Sequence, residues 1–101
     1  MLLNIPERIT LYSALPEQGN IVTMRIVAEL KSNLLLSEGD VKEGGVETLP
    51  EGRVGWKNNI EKEIPIGEKA TDVIVEALKT LDKNGRVTEQ HLTLWNKFIK
   101  D

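Results

Sequence analysis

The C-terminal third of the chain decides the fold, and between residues 68 and 99 it reads EKATDVIVEALKTLDKNGRVTEQHLTLWNKFI. In its first half, apolar side chains recur at intervals of three and four residues, the spacing that places them on one face of a helix. The members of this face are Ala70, Val73, Ile74, Ala77, Leu78 and Leu81. The spacing predicts an amphipathic helix over residues 68–83.

A second amphipathic helix is predicted directly after the first. Asn84 and Gly85 supply the glycine-containing end of the first helix, and Thr88 can cap the next one. The predicted buried side of the second helix consists of Leu92, Trp95, Phe98 and Ile99. We expect residues 88–100 to form this helix and to pack against residues 68–83 as a hairpin.

The N-terminal third of the chain also favours helices. Pro6 suits a first helical turn and predicts a helix over residues 5–15, and Asn20 is a good N-cap for a helix over residues 20–34. Apolar residues in the second segment also alternate as they do in a strand. The segment is longer than the roughly 3–10 residues of most strands, so we predict a helix and keep a strand as the alternative.

Short segments and turns are expected in the middle of the chain. Ser37–Asp40 can start a helix, but Gly44–Gly45 should stop it after one turn at most. The turn Leu49–Gly52 predicts a hairpin. The hairpin strands and a third, edge strand are expected at residues 46–49, 53–56 and 62–66. The predicted class is therefore α+β and mostly helical, with four helices and a hairpin or three-stranded antiparallel sheet in residues 46–66.

Length and composition limit the function classes. A chain of 101 residues with 40% apolar and 29% charged residues suits a single globular domain over residues 1–101. It has no cysteine, which excludes disulfides, thiolate catalysis and cysteine-bound metals and favours the cytoplasm. No apolar stretch reaches the roughly 18 residues of a membrane span. The formal charge is −3, whereas proteins that bind the phosphates of a nucleic acid usually present a positively charged surface. Neither a nucleic acid nor a membrane is therefore expected as a partner.

No set of residues predicts catalysis, a cofactor or a metal ion. If Gly85 is aligned with the obligatory glycine of a calcium loop, Thr80 and His91 occupy the end positions where carboxylates are needed. His91 is the only histidine, so a two-histidine metal site is excluded, and we expect a surface or capping role. The glycines between residues 44 and 55 match no phosphate-binding motif. The chain is predicted not to be an enzyme.

Two features favour a binding surface. Between Ser37 and Glu51, five acids stand against the single base Lys42; such a run is commonly a solvated loop, but it can steer a basic partner. The first 36 residues carry just six charged side chains, which suggests burial in a dimer or larger assembly. The candidate surface residues are Glu38, Asp40, Glu43, Glu47, Glu51, Trp56, Leu34 and Leu35. Trp56 suits either the core or an exposed anchor.

These features predict a small non-enzymatic module for protein interaction or assembly, of the kind expected among bacterial or phage accessory and regulatory proteins. Its partner is expected to be another protein or a second copy of the chain. A winged-helix nucleic-acid-binding regulator is an alternative, because the order of helices and hairpin fits, although the recognition position at Ser37–Glu43 is acidic. A small ligand-binding protein or enzyme without a recognisable site is a further alternative.

Overall fold

Five α-helices and two small antiparallel sheets make up the computed structural model, which describes residues 1–99 apart from the Glu51 side chain. In chain order the elements are β1 (Leu2–Asn4), α1 (Ile5–Ala14), α2 (Ile21–Leu34), α3 (Glu38–Gly44), β2 (Glu47–Thr48), a 3-10 turn (Pro50–Gly52), β3 (Val54–Gly55), β4 (Glu61–Glu63), α4 (Glu68–Lys83) and α5 (Glu89–Phe98). The predicted class, α+β and mostly helical, is confirmed.

The four predicted helices are present, and the strand alternative for residues 21–34 is wrong. The prediction of at most one helical turn after Ser37 is also wrong, because α3 has seven residues. Ser37 and Asp40 form a capping box that satisfies two backbone donors at the start of α3. The helix continues until Gly45, which adopts a left-handed φ of 60°. Lys100, the last residue of the predicted final helix, lies outside the described residues.

The three-stranded sheet predicted in residues 46–66 is wrong, because its strands belong to two separate sheets. β2 and β3 form the predicted hairpin, with Thr48 opposite Val54. β4 pairs instead with β1, placing Leu3 opposite Lys62. The two-residue strands of the hairpin offer little edge to a third strand, whereas pairing with β1 accompanies burial of Leu3 and of Ile64, the residue after β4.

The apolar core lies where the helices meet. Its buried members are Leu3, Leu11, Leu15, Val27, Leu30, Leu34, Ile64, Ile74, Leu78 and Leu94. The predicted face of α4 is confirmed, since Ile74 and Leu78 are fully buried. On α5, the prediction for Leu92 is wrong because its side chain is 53% exposed, and Leu94 is fully buried in its place. The face containing Leu94, Trp95 and Phe98 packs on the core and leaves Leu92 to one side.

None of the helices described between residues 1 and 99 combines the length and apolar character needed to cross a lipid bilayer. The longest, α4, has sixteen residues and carries charged side chains along its solvent-facing side.

The positions of Leu92 and Leu94 can be tested by truncation. Leu94→Ala should lower the free energy of unfolding by about 2–5 kcal/mol, because it leaves a cavity in the core. Leu92→Ala, on the same helix, should change it by less than about 0.5 kcal/mol. Urea unfolding followed by circular dichroism measures both values. Equal losses in the two variants would contradict the orientation of α5.

Candidate protein-interaction site

A buried arginine connects α1 to the end of α2 and the start of α3. The Arg8 side chain is only 3% exposed. Its Nε donates to the Leu34 carbonyl oxygen at 3.2 Å and its Nη2 to the Leu35 carbonyl oxygen at 2.6 Å. Its Nη1 donates to Asp40 Oδ2 at 3.2 Å. Arg8 therefore satisfies two carbonyl groups at the end of α2 while it pairs with a carboxylate of α3.

The carboxylate of Asp40 is buried and receives three donors from different parts of the chain. Arg8 and the backbone N–H of Ser37 donate to Oδ2, the latter at 2.9 Å, and Lys62 Nζ of β4 donates to Oδ1. Burial alone would raise the pKa of Asp40, but hydrogen bonds from Lys62, Ser37 and Arg8 outweigh it and hold the pKa well below its usual range. Asp40 is thus an ion-paired internal group, and its predicted place on an accessible acidic surface is wrong.

A second ion pair connects α1 to α5. Glu7 is buried, and its Oε1 accepts hydrogen bonds from Lys97 Nζ at 2.7 Å and from the backbone N–H of Asn4 at 3.0 Å. Lys97 Nζ also donates to the Leu2 carbonyl oxygen at 2.8 Å. Burial would raise the pKa of Glu7, but the hydrogen bonds that Glu7 accepts from Lys97 and Asn4 outweigh this effect and lower the pKa. Among the described residues no buried side-chain nitrogen or oxygen lacks a hydrogen-bond partner. The polar groups around Asp40 and Glu7 are therefore all hydrogen-bonded, as expected for residues that stabilise the fold.

An apolar groove lies beside the Arg8 cluster, between α1 and the segment that follows α2. It has a volume of about 320 Å³ and is lined by Arg8, Ile9, Tyr12, Ser13, Leu34, Leu35 and Leu36. Leu35 is 60% exposed and Tyr12 39% exposed. Hereafter this feature is called the α1–α2 groove. Most of its lining is apolar, and its one charged residue, Arg8, is already paired.

The backbone at the end of α2 explains why the groove exists. α2 ends at Leu34, and Leu35 has extended φ and ψ angles of −61° and 140°. The change from helical to extended backbone at this point separates the directions of the two side chains. Leu34 enters the core while Leu35 points outward, and Arg8 donates hydrogen bonds to both of their carbonyl groups.

Opposite charges lie near the two ends of the α1–α2 groove. At one end, Lys31 Nζ is 5.1 Å from the centre of the Tyr12 ring, within the range of a cation–π contact. At the other end, the chain passes from Leu36 through Ser37 to Glu38, the exposed first residue of α3. The only charge in the groove lining is therefore that of the paired Arg8, while Lys31 lies beside one end and Glu38 follows the other.

The structure brings together only part of the predicted surface. Leu35 lines the groove and Glu38 lies just beyond it, whereas Leu34 lines the groove from within the core and is only 2% exposed. Apart from the buried Asp40, the remaining predicted residues with described side chains are exposed and do not line the groove: Glu43, Glu47 and Trp56. The Glu51 side chain lies outside the described residues. Ile9, Tyr12 and Leu36 also line the groove but were not predicted as surface residues. Ile9 and Tyr12 follow the same apolar spacing along α1 as buried residues, so their spacing gives no sign of a surface role.

A wider cleft, with a volume of about 1000 Å³, lies between α2 and the start of α4. Its lining mixes apolar residues such as Ile26 and Ile66 with the carboxylates Glu29, Glu63 and Glu68. Glu63 is paired with the amino group of Met1. Within residues 1–99, no cluster of three or more acidic or histidine side chains could hold a metal ion. The cleft thus presents no converging set of chemical groups.

His91 has a structural role at the start of α5. Its Nδ1 accepts a hydrogen bond from the Thr88 backbone N–H at 3.0 Å and lies 2.9 Å from Thr88 Oγ1. This is the capping role expected from the sequence.

Comparisons of the chain with protein-family models, curated proteins and solved structures found no match. The α1–α2 groove therefore provides the argument for function through its own geometry.

The importance of the Asp40 cluster can be tested with an isosteric change. Asp40→Asn should lower the free energy of unfolding by about 3–5 kcal/mol, because Arg8 would lose its buried counter-charge. Glu43→Gln is a matched control on the exposed side of α3 and should change it by less than about 0.5 kcal/mol. Chemical unfolding at pH 7 measures both. Similar small effects in both variants would show that the buried pair is unimportant.

The lowered pKa values of Asp40 and Glu7 predict acid sensitivity. Both carboxyls bind protons less readily in the folded chain than in the unfolded chain, so their contribution is full above the unfolded pKa of about 4 and is lost as the pH falls through the folded values. The free energy of unfolding should therefore decrease between about pH 5 and pH 3. Urea titrations across this range measure the slope, and Glu7→Gln should make it shallower. A slope unchanged by that substitution would contradict the assignment of Glu7.

Proposed function

We propose that this chain is a non-enzymatic protein-interaction or assembly module that binds its partner through the α1–α2 groove. The observation that carries the proposal is the exposed Leu35 beside a preformed apolar groove whose shape is fixed by the buried Arg8. A single apolar side chain on a protein surface is common and does not by itself indicate a binding site. Here Ile9, Tyr12 and Leu36 line the same groove as Leu35, so the four apolar side chains form one continuous surface that a partner could cover.

The size and shape of the groove favour a small apolar anchor. A volume of about 320 Å³ is at the lower end of binding clefts, which span roughly 300–1,000 Å³. Two or three apolar side chains at helical spacing could fill such a groove in the manner of a helix that binds in a groove. Tyr12 adds an aromatic ring with a hydroxyl group, a combination that protein interfaces favour.

Exposed acids on α3 supply a second element of the proposal. Glu38 and Glu43 are exposed on this helix, and Glu47 follows on β2. Their field would attract individual positive groups on a partner, such as a lysine side chain, and would repel the phosphates of a nucleic acid. This charge supports a protein partner over the winged-helix alternative, in which α3 would have to approach DNA.

A peptide selection experiment can test the groove as a binding site. A library of amphipathic helical peptides would be selected on the wild-type chain, and binding would be mapped by backbone NMR shifts. We expect shifts around Ile9, Tyr12 and Leu35. Leu35→Asp should weaken binding by at least tenfold, because it places an unpaired charge in the contact.

Ile21→Asp provides the matched control for this experiment. Ile21 is 67% exposed and lies at the opposite end of α2, so the same change of side chain should leave peptide affinity unchanged. Circular dichroism would show that both variants are folded. Peptides whose binding is unaffected by Leu35→Asp, or whose shifts map elsewhere, would show that the groove is not the interaction site.

A further inference from the structure

The α1–α2 groove combines a depression and a projecting side chain in one surface. The depression lies between α1 and the residues that follow α2, and Leu35 at its edge is 60% exposed. In a two-fold symmetric dimer the same patch of both copies is in contact, so the patch must be complementary to itself. A groove bordered by a projecting leucine meets this requirement, because each copy can insert Leu35 into the groove of the other.

The charges at the two ends of the groove are also complementary to each other. Lys31 lies beside the Tyr12 end, and Glu38 lies beyond the Leu36 end. When two copies face each other in antiparallel orientation, Lys31 of each copy approaches Glu38 of the other. A parallel arrangement of the two grooves would place like charges together, so the charges favour the antiparallel orientation.

We propose that the occupant of the groove is a second copy of this chain, bound about a two-fold axis through reciprocal insertion of Leu35 and pairing of Lys31 with Glu38. The inference rests on the proposed function, since it assigns a partner to the same groove. A uniformly basic helix would fit less well, because Lys31 would repel it at one end. Seven residues line the groove, fewer than the roughly 20–30 residues per side of a standard interface, so the dimer is weak and reversible.

Analytical ultracentrifugation of the intact chain tests this inference. Wild type should show a concentration-dependent shift towards the dimer below about 1 mM, as expected for a small interface. Lys31→Glu alone and Glu38→Lys alone should each weaken dimerisation roughly tenfold, since each change creates two like-charge contacts per dimer. Glu76→Lys introduces the same charge change on the exposed side of α4, away from the groove, and should leave the dimerisation constant within about twofold of wild type.

Mixing the two charge variants gives the decisive measurement. A Lys31→Glu chain and a Glu38→Lys chain should form a heterodimer with close to wild-type affinity, because both pairs then regain opposite charges. Native mass spectrometry distinguishes the heterodimer from the two homodimers after isotope labelling. Raising the salt to about 1 M, where charges are screened beyond roughly 3 Å, should reduce the difference between heterodimer and homodimers.

Two results would overturn the dimer. One is a wild-type chain that stays monomeric at about 1 mM, and the other is a mixture of charge variants that associates no better than either variant alone. Selected peptides that still bind the groove of a monomeric chain would show that it accepts a segment of another protein in place of a second copy, and would leave the proposed function standing. Absence of both peptide binding and dimerisation would overturn the function as well.

Discussion

The burial of one guanidinium group constrains the whole N-terminal half of this protein. The last carbonyl groups of a helix have no partner within the helix and need donors from elsewhere when the helix end is buried. Arg8 supplies such donors to Leu34 and Leu35 and directs its remaining charge to Asp40. Arg8 thus contacts the end of α2 directly and reaches α3 through Asp40, which also accepts a hydrogen bond from Lys62 on β4.

The ion pairs are better understood as selecting an arrangement than as a large source of stability. Removing two charges from water costs about as much as their attraction returns, so a buried pair contributes little compared with well-packed apolar residues. A displaced partner, however, leaves a buried charge unpaired, which is costly. Arg8 with Asp40, and Glu7 with Lys97, therefore penalise any packing in which α1 meets α3 or α5 in another register. The apolar core then supplies the bulk of the favourable free energy.

Local patterns predicted the parts of this structure that local forces control. The spacing of apolar residues in α4 and the caps at Asn20 and Thr88 predicted three helices, because periodicity and capping act within a few residues. β1 gave no such signal, since its pairing partner is almost sixty residues away. Leu92 and Leu94 could each belong to an apolar face of α5, and only packing against α1 and α4 chooses between them. Asp40 looked solvated because its ion-pair partners, Arg8 and Lys62, are distant in sequence.

The three consecutive leucines at 34–36 show how the same constraint shapes the surface. Leu34 is 2% exposed and Leu35 60% exposed, because the backbone changes from helical to extended between them. A rotation that buried Leu35 would pull its carbonyl group away from Arg8 Nη2 and remove an acceptor from a buried charge. Leu35 is therefore held outward by the contacts that stabilise the fold. A partner that binds there meets a side chain and groove that are already ordered, so less conformational entropy is lost on binding than at a mobile loop.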